Sequence, residues 1–401
     1  MTSTGTARRI DIADVLRGLA VMGIVILHSI EHFNFYSFPD TDGQSALLNF
    51  TDKAIWNSTF FIFGSKAYAV FALLFGFSFF IQDNNQRLRG NDFRGRFAWR
   101  LVLLFLIGQV NALFFTGEIL VMYSLIGFIL ILTCRWPDRI VFWFAVILLL
   151  QPVEWGKFFI AMANPDAEPV AKLSTYYFRA TAAVQGSGNF WQMARTNLWE
   201  GQMVSLTWSW ENGRVFQTAA LFLFGMLIGR RGMFYGTEEN LQRWLKILLG
   251  ALTCYFIITG LTGILPGWVE NKAAWSILKR ILQSFSNFSF MLVLLSGIIL
   301  IFYRTGAGKS LMKIAPYGRM SLTNYLTQSM IGSLLFYHWG FGLHDDLGIT
   351  ASALVGVAIF LIQWMLCCWW LARHSHGPFE YLWKKATWIG KKPSRKNIGE
   401  K

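Results

Sequence analysis

Long apolar stretches alternate with short polar connections along almost the whole 401-residue chain. About ten of these stretches approach the ~20 residues that a helix needs to cross a bilayer. They lie at 15–35, 56–82, 98–115, 118–134, 139–161, 214–229, 244–265, 276–302, 320–340 and 350–372. The pattern predicts an all-α, polytopic integral membrane bundle of about ten transmembrane helices.

Charge is concentrated in the connections between these stretches. Lysine and arginine dominate alternate connections, and such residues are enriched in cytoplasmic loops, so both termini are predicted to be cytoplasmic. The loop 36–55 carries Asp40, Asp42 and Asp52 against one lysine and is predicted to lie outside. Only 14% of residues are charged, and the net charge of +14 belongs to the loops, so it does not predict nucleic-acid binding. We expect a multi-pass protein of the plasma (bacterial inner) membrane, with the lipid bilayer as a partner.

Residues 1–384 are predicted to form one transmembrane domain, followed by a basic cytoplasmic tail at 385–401. The outer segment 162–213 is long and contains four tryptophans, which favour the headgroup interface. This segment can be an interfacial amphipathic helix, a re-entrant lid over a cavity, or a loop resting on lipid. No metal site is predicted, because the four cysteines have no ligand spacing. Oligomeric state stays open, with a homodimer as one alternative.

The first apolar stretch carries five ionisable side chains on one side of a helix. At 100° per residue, Asp14 and His32 align, and Arg17, His28 and Glu31 fall within about 100° of them. His28 lies roughly 16 Å beyond Arg17 along the helix axis. Ionisable groups inside a membrane are costly, so they usually face a protein interior or a wet cavity. The stripe therefore predicts a polar lining that runs across the membrane.

Three side chains of the stripe also have a structural explanation. Arg17 can reach the headgroups from a helix end, and Glu31 and His32 can be ordinary interface residues. His28 is hardest to explain in this way, because a mid-membrane imidazole has no water unless a cavity provides it.

Five stretches of the sequence carry a family resemblance. They are DVLRGLAVMGIVILH at 14–28, KAYAVFALLFGFSF at 66–79, GEILVMYSLIGFILIL at 117–132, YGRMSLTNYLTQSMIGSLLFYHWGFGL at 317–343 and HGPFEYLW at 376–383. On these motifs the chain resembles the YeiB-like membrane proteins, the domain-of-unknown-function-418 family. That family is similar in its first helix to transmembrane acyltransferases, including acyltransferase family 3 and the heparan glucosaminide acetyltransferases.

The resemblance implies particular chemistry for the first helix. Acyltransferase family 3 has an arginine or lysine, ten intervening residues and an essential histidine, and Arg17 and His28 have that spacing. YeiB-like proteins more often have asparagine at the position of His28, and aspartate at the position of Glu118. The chain departs from the family pattern at both positions.

We therefore expect an acyltransferase that uses cytoplasmic acyl-CoA as co-substrate, without a tightly bound cofactor. The acceptor would be a hydroxyl or amine of a lipid, a sugar or a small molecule. His28 would act as general base or be acylated transiently, with Glu118 or Glu31 orienting it. Arg17 would bind the phosphates of the donor, helped by Arg94, Arg96 or Arg319.

Further residues are candidates for substrate binding. Asn324 and Gln328 share a helix face and could line the cavity or join helices by hydrogen bonds. Lys66 is expected to pair with an acid such as Glu31. The complete set of predicted binding residues is Arg17, Asp14, His32, Lys66, Arg319, Asn324, Tyr325 and Gln328.

Two other classes of function remain open. A transporter or flippase would also need a polar stripe with ionisable groups. However, neither an inverted repeat nor a matching pair of broken helices is evident in the sequence. A non-catalytic receptor or assembly factor is the third alternative.

Overall fold

A computed structural model describes residues 10–35, 44–164 and 171–390, and every regular element within them is helical. The helices are α1 Asp11–Ile30, α2 Ala46–Ile62, α3 Lys66–Arg87, α4 Arg94–Ala112, α5 Leu120–Ile126, α6 Phe128–Thr133, α7 Asp138–Leu149, α8 Pro152–Ala163, α9 Leu173–Ser187, α10 Phe190–Thr196, α11 Gln202–Glu211, α12 Arg214–Arg230, α13 Glu238–Ile264, α14 Lys272–Arg304, α15 Gly308–Leu311, α16 Ala315–Arg319, α17 Ser321–Phe336, α18 Ile349–Leu371 and α19 Pro378–Thr387. A π-helical turn, Asn197–Gly201, joins α10 to α11.

Several helical segments have the length and apolar character of membrane spans. Within the described residues there are six: Asp11–Ile30, Ala46–Arg87, Asp138–Ala163, Glu238–Gly267, Lys272–Arg304 and Ile349–Leu371. The helical content and these spans confirm the prediction of a helical membrane protein.

Three predicted spans are interrupted rather than continuous. The span predicted at 56–82 is wrong in this respect, since α2 ends at Ile62 and α3 begins at Lys66. Between them Ser65 has a left-handed backbone (φ 66°), and its hydroxyl accepts a hydrogen bond from Arg214. A left-handed residue cannot continue a right-handed helix.

The two other interruptions have local causes. The span predicted at 139–161 breaks at Gln151, whose φ is 56°, and α8 restarts at Pro152. Proline lacks the backbone N–H that a continuing helix would use, so it suits a first turn. The span predicted at 118–134 divides at Gly127 into α5 and α6.

The outer segment predicted at 162–213 is helical over most of its described part. It forms α9, α10, the π-helical turn and α11. The Glu211 carboxylate ties the end of this segment to its beginning, accepting from the Leu173 backbone N–H at 2.7 Å and the Ser174 hydroxyl at 2.5 Å. Residues 165–170 lie outside the described residues, as do residues 391–401 of the predicted tail.

Glycines allow the central helices to approach closely. A Cβ atom added to Gly76 of α3 would overlap the carbonyl oxygen of Phe222 in α12. One added to Gly225 of α12 would overlap the carbonyl oxygen of Leu73 in α3. The α3–α12 pair therefore depends on these two glycines, and α3 carries several of the side chains described below.

Replacing Gly225 with alanine is expected to destabilise the protein. The added methyl group would force α3 and α12 apart, at a cost of about 1–3 kcal/mol. Gly250 of α13 is the matched control, because nothing lies within 4 Å of its Cβ position. Gly250→Ala should leave stability unchanged or raise it by up to about 1 kcal/mol. Thermal unfolding in detergent measures both, and equal melting temperatures for the two variants would contradict the prediction.

Candidate functional site

Two cavities lie towards opposite ends of α1. The His32-end cavity, of about 560 Å³, has Glu31, His32 and Tyr68 in its wall. The Arg17-end cavity, of about 630 Å³, has Arg17 and Tyr325 in its wall. Both volumes fall within the range of ligand pockets, about 300–1,000 Å³.

A layer of aromatic side chains separates the two cavities. Tyr123 belongs to the wall of both. Its hydroxyl donates to the backbone carbonyl of Tyr68 at 3.1 Å, and its ring packs against Phe75 and Phe222, with centroids 5.8 Å and 5.1 Å away. The polar stripe of α1 therefore does not line one continuous passage, as the sequence predicted, but is divided between two cavities.

His28 is buried behind the wall of the His32-end cavity. The residue is 1% exposed, and its ring packs against Phe115 at a centroid distance of 4.7 Å. Its Nε2 atom lies 2.9 Å from the hydroxyl oxygen of Tyr68, and Tyr68 is a residue of the cavity wall. Its Nδ1 atom has no hydrogen-bond partner in the part of the chain that the structure describes. The imidazole thus has one hydrogen-bond partner, Tyr68, and its ring also lies edge-on to that of His32, with centroids 5.1 Å apart. Both neighbours belong to the cavity wall.

Neither predicted carboxylate orients His28, and this correction concerns both Glu31 and Glu118. A Glu31 oxygen lies 2.9 Å from Nδ1 of His32 instead. The α-helix ends at Ile30 and Glu31 leaves helical geometry (φ −123°, ψ −63°), so the helical-wheel positions of Glu31 and His32 do not apply. The imidazole that a carboxylate orients is therefore His32.

Glu118 is a buried link between helices. It is 2% exposed and accepts hydrogen bonds from the side-chain amide of Asn111 and the backbone N–H of Leu120. The Asn111 amide also donates to the Ser329 hydroxyl at 3.2 Å. The carboxylate of Glu118 consequently joins α4, the start of α5 and α17.

The Arg17-end cavity is rich in cationic side chains. Arg17 donates to Asp14 at 2.8 Å and to the Ser78 hydroxyl at 3.1 Å. Besides Arg17, the cationic side chains in this wall are Arg89, Arg100, Arg319 and Lys384. Such a surface has the chemistry to bind several phosphate groups.

Two of the predicted phosphate-binding arginines are engaged elsewhere. Arg94 forms an ion pair with Asp92 at 2.7 Å, and the guanidinium lowers the pKa of Asp92 to about 2. Arg96 donates to the backbone carbonyl of Ile389 at 2.9 Å. Neither arginine belongs to the wall of the Arg17-end cavity, so of the three predicted helpers only Arg319 joins Arg17.

The remaining predicted binding residues divide between cavity and core. Tyr325 lines the Arg17-end cavity. Asn324 joins helices, since its amide donates to the Tyr317 carbonyl at 2.9 Å and its backbone carbonyl accepts from Gln363 at 3.1 Å. Gln328 is fully buried and belongs to the wall of neither cavity. Of the two predicted alternatives, Asn324 follows the second and joins helices, and neither residue lines these two cavities.

Lys66 lies in the wall of the His32-end cavity without the expected acid. Its ammonium donates to the backbone carbonyl of Phe60 at 3.4 Å. It lies 5.9 Å and 5.7 Å from the ring centroids of Phe61 and Phe290. Among the described residues it does not pair with Glu31, which contacts His32.

Sequence reasoning missed three side chains of the site. Arg214 and Tyr68 line the His32-end cavity, and Tyr123 separates the two cavities. A signal for Arg214 was present, because this arginine begins a predicted span at its outer end, where positive residues are disfavoured. The two tyrosines carried no such signal, since tyrosines in apolar helices are common.

The chain is similar to known proteins along its whole length. Residues 228–390 match the family described as "Protein of unknown function (DUF418)". The uncharacterized protein YxaH of Bacillus subtilis (strain 168) is 26% identical over 420 residues, covering 98% of each chain. The uncharacterized protein YeiB of Escherichia coli (strain K12) is 27% identical over 399 residues, covering 93% of this chain and 95% of the relative. No solved structure matches.

Proposed function

This chain belongs to the YeiB-like DUF418 family, and on that premise we propose that it is a membrane-embedded acyltransferase. It moves an acyl group from cytoplasmic acyl-CoA to a hydroxyl or amine of an acceptor. The observation that carries the proposal is the 2.9 Å contact between buried His28 and Tyr68, at the wall of the His32-end cavity. An ionisable imidazole inside a membrane-spanning helix is costly, which favours a functional role.

The proposed topology has ten crossings of the bacterial inner membrane and both termini in the cytoplasm. The crossings are α1, α2–α3, α4, α5–α6, α7–α8, α12, α13, α14, α16–α17 and α18. The connections 88–93, 134–137, 231–237 and 305–314 each contain lysine or arginine, which supports a cytoplasmic Arg17 end. The donor then enters the Arg17-end cavity and the acceptor occupies the His32-end cavity.

In the proposed reaction a proton relay activates the acceptor. The acceptor O–H gives its proton to the Tyr68 oxygen, and the Tyr68 hydroxyl passes its own proton to Nε2 of His28. The acceptor oxygen attacks the thioester carbonyl, the C–S bond breaks as the intermediate collapses, and the proton returns through Tyr68 to the CoA sulfur. His32, held by Glu31, contacts the acceptor. The acyl group has to pass Tyr123, so this ring must move during the reaction.

The test is thiol release by the purified protein in nanodiscs. Acetyl-CoA and longer acyl-CoAs are offered with lipid or sugar acceptors, and free CoA thiol is followed. Release that depends on both protein and acceptor would support an acyltransferase. No release with any donor and acceptor would overturn the proposal.

Removing a positive charge from the wall of the Arg17-end cavity is expected to weaken binding of the acyl-CoA donor. A hydrogen bond to a charged group contributes about 1.5–3 kcal/mol, so Arg17→Gln should raise the KM for acyl-CoA at least about tenfold. Arg89→Gln, at an exposed position in the same wall, should act in the same direction without disturbing the fold. Arg94→Gln is the control outside the wall. A KM that rises equally in all three variants, or in none, would contradict a donor site at this cavity.

A transporter or flippase is the second candidate, favoured by the aromatic layer at Tyr123. In alternating access one binding site opens to each side of the membrane in turn, and two opposite cavities separated by one layer of side chains are compatible with such gating. Absence of thiol release, together with protein-dependent movement of a lipid or solute across proteoliposomes, would favour this function.

A further inference from the structure

The His32-end cavity contains more positive than negative charge. Within the described chain, the lysine, arginine and carboxylate side chains in its wall are Glu31, Lys66 and Arg214, which gives two cations against one carboxylate. Glu31 is already in contact with His32 at 2.9 Å. The wall of this cavity therefore carries a net positive charge.

Lys66 has fewer hydrogen bonds within the described chain than Arg214. It is 7% exposed, and its ammonium has two aromatic faces and one carbonyl oxygen at 3.4 Å as neighbours. A buried charge without an ionic partner destabilises a protein strongly. Because no carboxylate of the described residues pairs with this ammonium, an anion from outside the chain is the partner that would offset its burial.

Arg214 keeps donors available beside the same cavity. Its guanidinium donates to the Ser65 hydroxyl and to the side-chain oxygen of Gln217 at 3.3 Å, and it lies 5.4 Å from the ring centroid of Trp208. A guanidinium has five N–H donors in a fixed fork that matches an oxyanion. Two hydrogen bonds therefore leave donors for a ligand.

Both cations adjoin the break between α2 and α3. Ser65, whose left-handed backbone makes this break, is followed directly by Lys66 and hydrogen-bonds to Arg214. The interruption thus brings a lysine, an arginine and a hydroxyl to one wall. Apolar side chains complete the wall nearby, among them Leu27, Met122 and Leu221.

We propose that Lys66 and Arg214 bind the oxyanion headgroup, such as a phosphate, of an amphiphilic ligand whose apolar chain packs against the neighbouring wall. This ligand class would specify the acceptor of the proposed reaction. The ligand's role as acyl acceptor therefore rests on the proposed function. The acceptor would be an anionic lipid or lipid-linked molecule that presents a nearby hydroxyl or amine towards Tyr68.

The binding test uses dihexanoyl phosphatidic acid and the full-length protein in phosphatidylcholine nanodiscs. Isothermal titration calorimetry should detect binding of this lipid, with much weaker binding of dihexanoyl phosphatidylcholine and of inorganic phosphate. Lys66→Met and Arg214→Gln should each weaken the binding at least about tenfold, because each removes a charge-assisted contact. Lys66→Arg keeps the charge and should retain binding.

Lys53 supplies the matched control, since it is an exposed lysine on α2. Lys53→Met should bind the lipid as wild type does. Equal binding by Lys66→Met, Arg214→Gln and wild type would overturn the proposal, as would equal affinity for phosphatidylcholine. If inorganic phosphate binds as tightly as the lipid, the site takes a free anion and the lipid assignment fails. Lipid binding without thiol release would reject the acyltransferase and leave this site standing.

Discussion

Replacing His28 with alanine is expected to lower acyl-CoA thiol release about 10²–10⁴-fold, the usual contribution of a general base. The loss should appear in kcat, because His28 is buried and is not itself in the cavity wall, so in the proposed reaction it acts through Tyr68. His28→Asn should lose nearly as much, since an amide cannot accept the proton at neutral pH. The measurement is steady-state thiol release in nanodiscs at saturating donor.

Three further variants distinguish this mechanism from alternative mechanisms that use other residues. Tyr68→Phe should lose nearly as much activity as His28→Ala, because it interrupts the relay. His32→Ala should affect mainly the KM for the acceptor. His344→Ala is the control for removing a buried imidazole, since His344 belongs to the wall of neither cavity. Full activity in His28→Ala, or a larger loss in His32→Ala, would move the base to the pair formed by His32 and Glu31.

The sequence predicts the long helices well because their signal is local. An apolar stretch such as residues 276–302 needs only its own composition to indicate a span, and it lies within α14. The interruptions at Ser65 and Gln151 are less predictable. Their positive φ angles are held by tertiary contacts, with Arg214 in the first case and with Ser284 in the second, where the Gln151 amide donates at 2.5 Å.

The candidate site shows the same division between local and tertiary information. Residues of α1 could be grouped from the sequence, because one helix fixes their relative positions. Their partners come from other helices, such as Ser78 beside Arg17 and Tyr68 beside His28. Even within α1 the grouping fails after Ile30, where the helix ends and Glu31 turns to His32. Residue spacing therefore indicates which groups share a surface, and packing decides which of them touch.

Two cavities with different chemistry follow from this packing. Several arginines surround one, whereas a lysine, an arginine and apolar side chains surround the other. A polyanionic donor suits the first and an amphiphilic anion suits the second. In an acyltransferase the two ligands meet near Tyr123, and in a transporter one ligand moves past it. Thiol release and lipid binding therefore report on separate parts of the same molecule.

Replacing Glu118 with alanine is expected to destabilise the fold without removing a catalytic group. The variant would leave the Asn111 amide and the backbone N–H of Leu120 without their carboxylate acceptor. A buried polar group that loses its partner costs about 1–3 kcal/mol, so the melting temperature should fall clearly. Thermal unfolding in detergent measures this effect.

Glu118→Gln distinguishes the structural role of Glu118 from the role that the sequence predicted, which is to orient His28. The glutamine keeps an oxygen acceptor for one of the two donors, so the melting temperature should fall less than in Glu118→Ala. Because Glu118 does not hydrogen-bond to His28, thiol release per folded molecule should stay close to wild type. A Glu118→Gln protein that melts normally yet loses turnover as His28→Ala does would show that the carboxylate acts on the base. The buried link among α4, α5 and α17 would then belong to the catalytic machinery.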